Sequence, residues 1–287
     1  MQIGINLPSN VPGAQGDLIL EWASKADKGP FSSLGVIDRV VFDNYEPLVT
    51  LAAAAGVTKR VQLVTNILLA PLRNTGVMAK QAASIDALSN GRLTLGVAVG
   101  RRPDDFKAAP AESTGRGKHF DTQLETMKRI WSGERLSDDV GPVGPMPVRP
   151  GGPEIIIGGN NPHAFERVAK WAEGYIAGSG PADRAASAYQ QAEEAWKAHG
   201  RSGRPRFLGL FYFGLGPGAE EFGPGYVLNY YQQLGKAAEP MAQAVPTTPE
   251  QIRELIKARE DIGMDELLFM PTKASMDQLD RFIDVIA

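Results

Sequence analysis

No cysteine occurs among the 287 residues. That absence excludes a disulfide framework, a thiolate nucleophile, an iron–sulfur cluster and any cysteine-based zinc site. Histidine is nearly as scarce. His119, His163 and His199 are scattered through helical patterns, so no metal site is expected. Neither sign of charge dominates: 30 Lys and Arg against 33 Asp and Glu leave −3. A nucleic-acid or membrane-surface partner normally needs a basic face, so neither is expected. No run approaches the roughly 18 apolar residues of a membrane span. Met1 leads straight into QIGINL, with no leader pattern, and the expectation is a soluble, cytoplasmic protein. Also missing are a Gly-x-Ser-x-Gly elbow, a Walker A loop and a Gly-x-Gly-x-x-Gly turn after a strand. A serine-triad or metal hydrolase is therefore disfavoured.

What is present is an alternation. Strand patterns lie at 2–7, 34–38, 61–69, 93–100, 154–158, 174–178, 206–214 and 266–270. Several are unbroken apolar runs, as parallel strands covered on both faces require. Helical patterns fit 15–28, 45–55, 75–89, 117–132, 161–172, 181–199, 226–238, 248–262 and 275–286. In the fourth of these, Phe120, Leu124, Met127, Ile130 and Trp131 repeat at three- and four-residue spacing before Gly133. Asn161-Pro162 opens the next as a cap followed by proline in the first turn. Eight such units predict a single (β/α)8 TIM barrel over residues 1–287, in preference to an open doubly wound sheet. Two stretches break the rhythm: the Gly- and Pro-rich 133–153, and GLGPGAEEFGPG at 214–225, a candidate lid or a plain connector.

Barrel chemistry sits at the strand C-terminal ends. Those positions hold Asn6, Asp38, Arg39, Asn66, Gly100, Arg101 and the turn Gly158-Gly159-Asn160-Asn161. In that turn two glycines permit close backbone approach, and the helix that follows offers free N–H groups to an anion. On pattern alone, an ordinary Gly-rich bend is the commoner reading. Thr65-Asn66 inside an apolar strand needs bonded partners or a ligand. Asp38-Arg39 reads either as functional or as a strand-end ion pair.

Four segments carry a resemblance. TNILLAPLRNTGVMAKQAASIDALSNGRLTLGVAVG (65–100) closely resembles the bacterial-luciferase-like monooxygenase family. HFDTQLETMKRIWSGE (119–134), IIIGGNNPHAFERVAKWAEGYI (155–176) and GMDELLF (263–269) are similar to further segments of it. The resemblance implies a flavin-dependent oxidoreductase, and in particular a two-component monooxygenase. Such an enzyme takes reduced FMN from a separate flavin reductase and uses O₂ on a small organic substrate. Sister branches use a deazaflavin coenzyme as reductases or dehydrogenases, and a non-catalytic flavin-binding barrel is a third reading. By this resemblance the flavin rests on a bulge at Asn66-Ile67, often a non-prolyl cis peptide, while its phosphate goes to Gly158, Gly159, Asn160 and Asn161. A homodimer through the second and third helices is also implied. Two departures stand out. The acidic–His pair of many members is Asp38-Arg39 here, and the Gly-Glu of the deazaflavin branch is Gly100-Arg101. A cationic Arg39 or Arg101 would then serve an anionic flavin or an acidic substrate.

Overall fold

In a computed structural model describing residues 1–287, the strands all pair in parallel. β1 (Gln2–Asn6) lies between β2 (Ser33–Val36) and β9 (Glu266–Pro271), and β2 pairs with β3 (Gln62–Thr65). From β5 (Leu93–Ala98) the sheet continues through β6 (Glu154–Gly158), β7 (Gly174–Ala177) and β8 (Arg206–Phe213) to β9. β3 also pairs with β5, which closes the ring. The predicted strand 61–69 is broken by a cis Asn66–Ile67 peptide bond. Its upper part, β4 (Leu68–Leu69), rejoins the upper end of β5. The result is a closed barrel of eight parallel staves wrapped in helices, the fold expected from the alternation.

The helices are α1 (Gly16–Lys28), α2 (Pro47–Val57), α3 (Thr75–Leu88), α4 (Pro103–Ala108), α5 (Arg116–Trp131) and α6 (Pro162–Trp171), followed by α7 (Ala182–Ala198), α8 (Ala219–Tyr230), α9 (Glu239–Gln243), α10 (Pro249–Glu260) and α11 (Met276–Ile286). Several start where a side chain satisfies a free backbone N–H. Glu46 accepts from Val49 before α2, Asn74 from Val77 before α3, and Thr248 with Gln251 forms a capping box before α10. Residues 133–153 hold neither helix nor strand beyond one Ser137–Val140 bridge.

The expected irregular loop at 214–225 is corrected: α8 runs through it from Ala219. Pro224 and the glycines read locally as breakers. Burial of Tyr226, Val227 and Tyr230 over the barrel overrides them, and left-handed Gly218 (φ 78°) turns the chain into the helix. The expected helix at 226–238 is accordingly the end of α8 followed by a 3-10 segment, Gln232–Ala238. The short α4 was not expected at all.

The main core lies between strands and helices, with Trp22, Phe31, Trp131, Phe207 and Phe282 fully covered. Inside the barrel Val64, Ile156, Ile176, Leu208 and Leu268 form a separate plug. Beneath it, at the N-terminal end, Arg206 bridges Glu154 and Glu266, while Ser33 donates to Glu266 (2.6 Å) and Thr94 to Glu154 (2.7 Å). A buried ion cluster is tolerable only when its members are satisfied in this way.

Candidate active site

Above the plug, the floor of the C-terminal mouth is built around Asn66. Its amide and that of Asn6 bond reciprocally, at 2.8 and 3.0 Å, with both side chains fully buried. Gly35 makes that possible, because a Cβ there would lie 2.1 Å from Asn6 Oδ1. Thr65 donates to the Gly96 carbonyl (2.7 Å), and a Cβ on Gly96 would meet the Thr65 carbonyl oxygen at 2.0 Å. The polar Thr-Asn pair is thus satisfied internally, the blander of its two readings from sequence. Ile67 is half-buried on top of the plug, its Cδ1 occupying the space a Cβ on Gly158 would need.

Asp38 and Arg39 do not pair with each other. Asp38 accepts from the Leu69 N–H (2.8 Å) and takes Arg73 in a two-pronged pair that extends to Glu46 (2.9 Å). Burial outweighs the Arg73 charge and holds the Asp38 carboxyl above its ordinary pKa. Arg39 is buried too, but against Asp105 (3.2 Å) and Asp104 (3.5 Å), with Phe42 and Tyr230 rings at 5.4 and 5.2 Å from its guanidinium carbon. Asp105 also receives the Val40 and Val41 N–H groups. The Tyr230 carbonyl accepts from both Arg39 (3.4 Å) and Arg102 (3.2 Å), tying α8 to the loops after β2 and β5. Burial raises the pKa of Asp104, but hydrogen bonds from Arg102 and Gln233 more than offset it and lower that pKa. The sequence pointed to neither Asp105 nor Arg73 as a partner, because both lie more than thirty positions away.

The Gly158–Asn161 turn stands on the other side of the mouth. Gly159 has φ 142°, outside the usual range of L side chains, and a Cβ there would lie 2.8 Å from that of Ala164. Asn161 caps α6 through the Ala164 N–H (3.1 Å), so its side chain is spent on the helix. The N–H groups of Asn160, Asn161 and His163 find no acceptor on the chain. β5 and β6 are neighbours, so the loop after β5 rises beside this turn. There Gly100 is left-handed (φ 70°), Arg101 is exposed, and half-buried Arg116 donates to the Gly100 carbonyl (3.2 Å) over the Phe106 ring. No carboxylate pairs with Arg116 (the reading of strand ends missed it, since it opens α5). A glycine-lined floor, free N–H donors and a guanidinium that bonds the Gly100 and Ser113 carbonyls but no carboxylate suit the phosphate and ring of a flavin.

A cluster of tyrosines packs together at this end: Tyr212 near the end of β8, Tyr226 and Tyr230 on α8, and Tyr231 just after it. An open hollow of about 730 Å³ at the opposite end, around Met1, Arg204 and Asp265, has its charges paired internally and offers no comparable chemistry.

The sequence profile of the luciferase-like monooxygenases matches residues 1–266. The chain belongs to that family. It is 29% identical over 172 residues to an uncharacterised protein of Mycobacterium tuberculosis, a match covering 58% of this chain and 61% of that relative. Its fold matches an F420-dependent secondary alcohol dehydrogenase in complex with an F420–acetone adduct (TM-score 0.80, 16% identity, 99% of this chain and 97% of the other). It also matches the FMN-bound oxygenating constituent of 3,6-diketocamphane monooxygenase from the CAM plasmid of Pseudomonas putida (TM-score 0.79, 16% identity, 100% and 96%). No helix is long and apolar enough to cross a membrane.

Proposed function

We propose that the protein is a flavin-dependent oxidoreductase acting as a two-component monooxygenase, with reduced FMN delivered by a separate reductase and O₂ used on a small organic substrate. The observation that carries this reading is the Gly158–Asn161 turn, whose free Asn160 and Asn161 N–H groups, with that of His163 in the first turn of α6, stand beside the Ile67 floor. FMN, when bound, supplies the oxygen-activating chemistry. The chain holds and shields it. Asn160, Asn161 and His163 donate backbone N–H groups to the phosphate, Arg116 adds charge, and Ile67 over Gly158 offers an apolar seat for the ring. Asn6 holds Asn66, and Asp38 holds Leu69, so the bulge is fixed before any ligand arrives. Arg39 and Asp105 neutralise each other, and their part is to close the mouth against water.

The alternative cofactor is a deazaflavin coenzyme. Gly100-Arg101, in place of that branch's Gly-Glu, favours FMN. Parallel fluorescence titrations with FMN and coenzyme F420 test this, and tighter F420 binding overturns it. In the same assay Gly159→Val is expected to weaken FMN by at least about tenfold, near 1.4 kcal/mol. Unchanged affinity in a variant with a native circular dichroism spectrum removes the phosphate assignment.

The reading includes a homodimer through α2 and α3. Val49 (65% exposed) and Val77 (56% exposed) line a groove of about 370 Å³ with Val40 and Leu72 and with polar Glu46, Arg73, Asn74 and Gln81, a mixed surface whose apolar part a second copy would cover. Val77→Asp should then convert dimer to monomer in sedimentation velocity. The same reading has the enzyme work in the cytoplasm, where a separate reductase would supply the reduced flavin.

A further inference from the structure

Two adjacent arginines follow Gly100 after β5, and the fold uses them differently. Arg102 donates to the Tyr230 carbonyl (3.2 Å) and pairs with Asp104 (3.3 Å) and Asp105 (3.8 Å). Arg39 meets the same carbonyl and the same two carboxylates. Two cations face two anions there, so that set is neutral. Arg101 is exposed and takes part in none of these pairings. The Arg102–Tyr230 bond holds this loop against the end of α8, which brings Arg101 toward the next residue, Tyr231. Burial raises the pKa of the Tyr231 hydroxyl; the bond to Tyr212 opposes the rise, followed by the charges of Arg101, Arg102 and Arg39 in that order.

That hydroxyl has capacity to spare. Side chains along β8 alternate, and those facing inward are Arg206 in the ion cluster, Leu208 in the plug, Leu210 and, uppermost, Tyr212. The Tyr212 hydroxyl lies 3.1 Å from that of half-buried Tyr231, and neither makes another hydrogen bond. Two phenols carry two protons, and their one bond uses a single proton. With Tyr212 donating, the unspent O–H belongs to Tyr231, the hydroxyl on which Arg101 acts. Every group left over here is thus a donor, and one of them is charged. A ketone or alcohol takes the O–H and leaves the guanidinium to water, whereas a carboxylate, which only accepts, satisfies both. Half-buried Phe42, Leu210 and Met241 against the tyrosines suit an apolar remainder.

We propose that Arg101 and the Tyr212–Tyr231 hydroxyl pair hold the carboxylate of the substrate, so that this enzyme acts on apolar organic acids in their ionised form. The proposal deepens the flavin-oxidoreductase reading and rests on it in taking the mouth as the substrate site. Calorimetric titration of the full chain with benzoate and with acetophenone, one shape with and without the charge, tests it. Benzoate should bind at least about threefold more tightly, and its margin should shrink as salt is raised. Arg101→Gln, at an exposed position without partners, should weaken benzoate about tenfold and leave acetophenone and FMN unchanged. Tyr212→Phe/Tyr231→Phe should weaken benzoate about three- to tenfold. Acetophenone binding as tightly as benzoate, equal losses of both probes in Arg101→Gln, a loss of FMN in place of benzoate, or no benzoate binding at all overturns the proposal. A wild type that binds benzoate through Arg101 but binds no FMN upholds the carboxylate site and sinks the flavin reading alone.

Discussion

The two ends of the barrel interior are built from the same alternating strands to opposite designs. At the N-terminal end every inward charge is paired and every hydroxyl is spent: Arg206 on Glu154 and Glu266, Ser33 on Glu266, Thr94 on Glu154. At the C-terminal end the Asn6–Asn66 pair and the Asp38 and Arg39 ion pairs are satisfied too, but glycines, half-buried Ile67, free N–H groups and one unspent hydroxyl are left around them. Satisfied polar groups specify a structure, and unsatisfied ones await a ligand. The comparison teaches where binding capacity resides in a closed barrel. It is at the end where the chain leaves donors unused.

The largest effect should come from the satisfied end. Glu266→Ala strips Arg206, Ser32 and Ser33 of their shared acceptor, and should cost about 3–5 kcal/mol in urea unfolding while leaving FMN affinity of the folded protein intact. A small cost would show that the cluster is not a structural plug. At the mouth, Arg39→Met leaves buried Asp105 with the weaker Arg102 contact (3.8 Å) and should cost about 2–3 kcal/mol. Turnover of the folded fraction should survive. If turnover falls far more than flavin affinity or stability, Arg39 returns to the chemistry and the line between the two ends blurs.

Alkaline pH sharpens the contrast further. Burial raises the pKa of Tyr212, Tyr226 and Tyr230, and Tyr175 is pushed up to about 12. In the unfolded chain these phenols ionise near pH 10, so above that pH the native state binds more protons and stability falls as pH rises. Each phenol should withdraw up to about 1.4 kcal/mol per pH unit above 10. Absorbance at 295 nm from these groups should rise only together with unfolding; an early rise would mean that the mouth admits water. The smallest effect is Asn161→Ala. It removes the α6 cap at a cost of about 1 kcal/mol, with FMN binding weakened little, because the backbone N–H groups are the proposed phosphate donors. A loss as large as that of Gly159→Val would make the Asn161 side chain a ligand.

Much of the frame was legible in the residues. Unbroken apolar runs marked the strands, three- and four-residue spacing marked the helices, and Asn161-Pro162 marked where α6 begins, since these signals are local and depend only on the neighbours along the chain. Position at strand ends also indicated parts of the mouth: Asn6 and Asn66 in its floor, and Asp38, Arg39 and Gly158–Asn161 around it. Partners were not legible. Asp38 and Arg39 are adjacent in sequence, yet one faces Arg73 and the other Asp104 and Asp105. Successive side chains at a strand exit diverge, and barrel closure decides which distant loop meets each. For the same reason Pro224 and its glycines read as a loop, although burial of Tyr226 and Tyr230 over the barrel makes them a helix. The break at Asn66–Ile67 came from family resemblance and not from periodicity, because the apolar run continues through it unbroken. Composition and spacing determined the barrel and the end that carries its chemistry. Only the closed ring decided which charges cancel and which donors are left free, because those contacts join residues that no local pattern relates.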